Sequence, residues 1–117
     1  MSVEPPVLGS VGVGPVLLAT PLALLVVAAI EADNRDVVVH DEGAYLRVVV
    51  PEVCRLARAT LEAATGSPVQ FPGELEVIMP SFAGLMRLTE HEAVWWLAGD
   101  APAAPLPDDA RSTEKGS

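Results

Sequence analysis

The chain has 117 residues, half of them hydrophobic, and carries 16 acidic against 7 basic side chains for a formal net charge of −9. That length suits one domain with a single modest core, and the charge argues against nucleic acid, whose phosphates demand a basic surface. With one Tyr, two Phe and two Trp the core must come largely from Val, Leu and Ala, and a single cysteine forbids an internal disulfide.

Residues 1–11, with Pro5 and Pro6, read as a flexible N-terminal arm. The uncharged run from Val11 to Ile30 is about long enough to span a bilayer. Gly12, Gly14, Pro15, Thr20 and Pro21 interrupt it, however, and its flanks (Glu4, Glu31, Asp33) bear no positive charge to set an orientation. A strand followed by a helix is the better parse. Gly12 to Leu18 is a short buried strand, Thr20 an N-cap, and Pro21 the first residue of a helix running to about Ala32. Asp33-Asn34 then favours a turn. The helix is apolar on every side, so it must be covered on more than one face, and in so small a domain the second cover can come from another chain.

Asp36 to Asp41 and Ala44 to Val50 are β-branched runs around a short turn, which predicts a hairpin. Tyr45, Arg47 and Val49 should point one way along the second strand, and Leu46, Val48 and Val50 the other. Pro51 is expected to open a second, amphipathic helix that ends before Gly66. Its core face would carry Val53, Leu56, Ala57, Leu61 and Ala64, and its wet face Glu52, Arg55, Arg58 and Glu62. Glu74 to Met79 alternates like a strand, with Leu75, Val77 and Met79 on one side. Pro80 to Gly84 reads as a loop, and Leu85 to Leu88 and Glu92 to Leu97 as two more strands. Residues 99–117, rich in Pro, Ala and acid, read as a disordered tail. Residues 12–98 thus form a small single α+β domain of order β-α-β-β-α-β-β-β, a mixed sheet packed against two helices.

Chemistry is sparse. Neither His40 nor His91 has a partner at metal-ligand spacing, and Cys54 has no second thiol near it. Asp41-Glu42, Glu74/Glu76 and Glu90/Glu92 are carboxylate pairs, read as solvated charge rather than acid–base machinery. Trp95-Trp96 must split across a strand, one indole in the core and the other either under a helix or kept for a partner. The residues describe a binding protein with no catalytic, metal or cofactor site of its own. A Cys54–His pair remains open as an enzyme reading.

Val13-Gly14-Pro15-Val16, Ala44-Tyr45-Leu46-Arg47-Val48, Glu74-Leu75-Glu76-Val77 and Ser81-Phe82-Ala83-Gly84 occur in an order and at intervals that resemble the effector (coupling) proteins of bacterial multicomponent soluble diiron monooxygenases. Thr60-Leu61-Glu62 and Glu31-Ala32-Asp33-Asn34 add to the likeness, which spans Gly12 to Leu97. It looks nearest the toluene/alkene branch, since the long N-terminal extension of the methane enzyme's regulatory component is lacking. The resemblance implies a cofactor-free, non-catalytic, cytoplasmic protein that docks on the α-subunit of a diiron hydroxylase and raises its turnover and coupling. A reductase or Rieske ferredoxin would serve the same system without stable binding. It further implies partner contacts or loop-shaping roles at Gly14, Pro15, Asp33, Asn34, Tyr45, Arg47, Ser81, Phe82, Ala83 and Gly84. This chain departs from the family in its more apolar first helix, in Pro51 and in the Pro/Ala tail. The alternative is a stand-alone α+β dimerisation module, or one that holds a small apolar ligand between sheet and first helix.

Overall fold

The structure, a computed structural model, describes residues 12–98. The expected arm at 1–11 and tail at 99–117 lie outside the described residues. The elements are β1 (Gly14–Leu18), α1 (Pro21–Asp33), β2 (Val38–Asp41), β3 (Tyr45–Val49), β4 (Val53–Ala57), α2 (Arg58–Thr65), α3 (Gly73–Ile78), β5 (Ser81–Ala83), β6 (Leu85–Leu88) and β7 (Glu92–Trp96). The α+β class holds. In place of one mixed sheet there are two antiparallel ones, ordered β2-β3-β1-β5 and β4-β7-β6.

The front of the chain follows its local chemistry. Thr20 caps α1 by accepting the Ala23 N–H at 3.1 Å, with Pro21 opening the first turn. β2 and β3 form the expected hairpin, with Leu46 and Val48 buried and Tyr45 and Arg47 exposed. Helix α1 buries Ala23, Val26, Ala29 and Ile30, half-buries Leu22, Leu25 and Val27, and leaves Leu24 64% exposed. It packs on β4 and α2. One continuous core joins it to Leu17, Leu46 and Val48 of the first sheet, to Cys54, Leu56, Ala93 and Trp95 of the second, and to Leu61, Leu75 and Ile78 of the short helices.

Two segments differ from the sequence reading. Pro51 does not open a helix: Val53–Ala57 is strand β4, and only Arg58–Thr65 is helical, ended by Gly66. Glu52 sits at φ 65°, and the Val53 N–H donates to the Pro51 carbonyl at 2.7 Å. That γ-turn turns the chain away from helical geometry before Val53. Cys54 and Leu56 then face inward on a strand, whereas helical spacing had grouped Val53, Leu56 and Ala57; Ala64, expected in the core, is exposed. Glu74 to Met79 is likewise not a strand. It is helix α3, burying Leu75 and Ile78 three residues apart and leaving Val77 77% exposed. Over six residues an alternating pattern and an i,i+3 pattern use nearly the same letters, and packing decides. Ser81–Ala83, read as loop, pairs with β1 as an edge strand.

Gly84 is where the chain leaves the first sheet for the second. Its φ is +98°, and a Cβ there would lie 2.7 Å from both the Trp96 carbonyl oxygen and Val13 Cγ1. The seam between the sheets therefore admits only glycine at this point.

Candidate functional site

The register gathers most of the residues marked by sequence onto the first sheet. Gly14 pairs with Ala83 and Pro15 with Phe82, while on the other side of β1 Val16 pairs with Arg47 and Leu18 with Tyr45. Paired residues share a face. The outward face therefore carries Gly14, Val16 and Leu18, Tyr45 and Arg47, Val38 and His40, and Ser81 and Ala83. Leu18 and Tyr45 at one end and Val38 at the other are large, exposed and apolar in the main, and a row of His40, Arg47, Val16 and Ser81 crosses the face between them. Arg47 is held there by Glu42 at 2.8 Å, and the guanidinium keeps the Glu42 carboxyl below its ordinary range, first by the hydrogen bond and then by its charge. Pro15 and Phe82 point to the opposite, inward side, Pro15 buried and Phe82 half-exposed at the edge.

Asp33 and Asn34 lie elsewhere, at the C-terminus of α1 against β4. The Asn34 amide donates to the Arg55 carbonyl at 2.7 Å and to the Ile30 carbonyl at 2.7 Å, while its oxygen accepts the Arg55 N–H at 2.9 Å. Asp33 accepts the Ala57 N–H at 2.9 Å and the Thr60 hydroxyl at 2.8 Å. β4 is an edge strand of the second sheet. These two side chains pair with its open edge as a further strand would, and Asp33 serves the first turn of α2, whose own N-cap residue, Ala57, has no side chain to do so. These hydrogen bonds shape the fold.

Cys54, the thiol that could have served as a nucleophile, lacks the setting for it. Cys54 is fully buried on the inner face of β4, and burial, with a smaller contribution from the Asp33 charge, pushes its thiol up to about 12. It stays a protonated core side chain at neutral pH. His40 and His91 are exposed. Among the described residues no group of three or more His, Cys, Asp or Glu side chains is placed to hold a metal ion, and no helix is long and apolar enough to cross a membrane.

The tryptophans split as strand geometry demands. Trp95 is completely buried, and its indole N–H finds no hydrogen-bond partner among the described residues. Trp96 lies on the other face of β7, where the Arg87 guanidinium stacks 5.5 Å from its ring centroid. Sequence reasoning missed an open groove of about 360 Å³ between the first turn of α1 and the β2–β3 turn, lined in part by Ala19, Pro21, Leu24, Asp41 and Leu46. The signal was present in the exposed side of the all-apolar helix, but the hairpin turn that completes the groove lies some twenty residues on.

The sequence model of the MmoB/DmpM family matches residues 12–96. The chain is 38% identical over 86 residues to the effector subunit of an alkene monooxygenase system from Xanthobacter autotrophicus, an alignment that covers 72% of this chain and 84% of that protein. Its fold matches, with a TM-score of 0.64, a chain in a structure of the phenol hydroxylase–regulatory protein complex; that match covers 70% of this chain and 93% of the other at 18% identity, and shows a shared fold. The family match extends from Gly12, just before β1, to the last residue of β7, a span that takes in both sheets and every helix between them, and the chain therefore belongs to the MmoB/DmpM family.

Proposed function

We propose that this chain is the non-catalytic effector of a multicomponent hydrocarbon monooxygenase, and that it acts by binding the diiron hydroxylase in which oxidation takes place. Family membership together with the exposed apolar face of the first sheet carries this reading. Val16 and Arg47 lie at the centre of the docking surface, with Leu18 and Tyr45 at one end, Val38 and Ala83 at the other, and His40 and Ser81 on the flanks. Gly14, Pro15, Phe82 and Gly84 fix the shape of the β1–β5 edge, and Asp33 and Asn34 fix the α1–β4 junction. The protein works in the cytoplasm, beside the hydroxylase and the reductase or ferredoxin that supplies it.

An effector without a reactive group acts only by differential affinity. It shifts the hydroxylase toward an active conformation by as much as it prefers that conformation. The β1–β3–β5 face suits this role because its backbone is fixed by ladders on both sides of β1, so little order is lost on docking. The test is titration into the reconstituted monooxygenase, following product formation and peroxide release. A saturable rise in turnover with less peroxide per reductant consumed is expected, and Tyr45→Ala should raise the concentration needed for half the effect. Turnover and peroxide release that ignore the added protein would remove the effector reading.

A further inference from the structure

The groove beside α1 is separate from the outward sheet face, and its chemistry selects an occupant. Ala19, Leu46, Pro21 and Leu24 make it apolar, and Leu24 stands 64% exposed on its wall. Asp41 is the one charged side chain among its lining residues. One oxygen of that carboxylate accepts the Gly43 N–H at 3.0 Å, which orients it without neutralising it. A purely apolar occupant would strip water from the carboxylate and return nothing. An anion would meet both Asp41 and a chain of net charge −9. An aliphatic stem ending in a cation satisfies both halves of the groove. A second copy of this strongly acidic chain is repelled as a whole, so the cation is expected from a partner with a basic rim.

We infer that this groove receives a lysine or arginine side chain of the hydroxylase, its stem lying along Leu24 and Ala19 and its charged head on Asp41. The inference rests on the effector reading and adds a second point of contact to the sheet face.

The test measures the dissociation constant of the full-length protein for the intact hydroxylase by calorimetry, at low and at high salt. The variants are Asp41→Asn, Leu24→Gln and Glu90→Gln. The asparagine keeps the oxygen that accepts the Gly43 N–H and loses only the charge. Glu90 is exposed at the β6–β7 turn and makes the same change in net charge at a different place. Asp41→Asn should weaken binding about fivefold at low salt, with the difference shrinking as salt rises. Leu24→Gln should weaken it about threefold at either salt, and Glu90→Gln should leave it unchanged. Unaltered urea midpoints confirm that all three fold. If Asp41→Asn binds as tightly as wild type, or more tightly, while wild type still stimulates the hydroxylase, the groove inference falls and the effector reading stands. If wild type neither binds nor stimulates, both fall. If the substitutions change self-association by sedimentation and leave hydroxylase affinity alone, a second copy is the occupant and the inference is overturned.

Discussion

Replacing Asn34 with alanine removes three hydrogen bonds, two to the Arg55 backbone and one to the Ile30 carbonyl. A partly buried hydrogen bond contributes about 1 kcal/mol net, and an unsatisfied backbone group costs more where water cannot reach it. The Ile30 carbonyl belongs to the last turn of a helix and is easily rehydrated, whereas the Arg55 groups lie under the α1–β4 junction. The expected loss is therefore about 2–3 kcal/mol, a large part of the roughly 5–15 kcal/mol that holds a small domain together. Urea unfolding followed by tryptophan fluorescence should show the midpoint falling by about 1–2 M with the slope unchanged. Asn34→Asp provides the internal check. It keeps an acceptor for the Arg55 N–H but places carboxylate oxygen against two carbonyls and beside Asp33. It should be at least as destabilised as the alanine variant at pH 7 and should recover ground as the pH falls toward 4. An alanine variant within 0.5 kcal/mol of wild type, or an aspartate variant close to wild type at pH 7, would refute the reading of Asn34 as a substitute strand.

Three further outcomes are expected. The Cys54 thiol is pushed up to about 12 from an ordinary 9.0, so below pH 9 it is protonated whether the chain is folded or not. Between pH 9 and 12 the unfolded thiol ionises first, and stability should fall by up to about 1.4 kcal/mol per pH unit; Cys54→Ala should show a shallower alkaline slope, and equal slopes would contradict the assignment. Gly84→Ala meets backbone and Val13 at 2.7 Å with φ at +98°, and should cost about 3 kcal/mol in chemical denaturation. Glu52→Gly relieves a non-glycine residue at φ 65° and should raise the urea midpoint by the equivalent of about 0.5–1 kcal/mol.

What could be read from the sequence is what is local. Thr20-Pro21 announces a helix start in two letters because the cap and the missing N–H act within one turn. The alternation from Tyr45 to Val49 announces its two faces because the strand has one wet side. Residues 53–57 and 74–78 were not legible, since both are too short for their periods to separate and both are decided by distant neighbours: β7 and α1 for the first, the core beneath Leu75 and Ile78 for the second. The resemblance marked the segments of the outward face, and only the register of β1 with β3 and β5 shows that Tyr45, Arg47, Ser81 and Ala83 share that face. Asp33-Asn34 shows the opposite case. The dipeptide reads as a turn, but its bonds reach 21 to 27 residues along the chain, a relation that no window around it contains.

The cover that Asp33 and Asn34 place along β4 also bears on how the protein survives crowding and heat. An uncovered strand edge invites any extended segment, from a misfolded sister chain or a nascent one, to add itself and seed an insoluble deposit. Here the invitation is withdrawn by two short side chains rather than by a lysine or a bulge. A cell that loses Asn34 would therefore lose protein to precipitation as well as to unfolding, and the first sign of the change would be turbidity on warming.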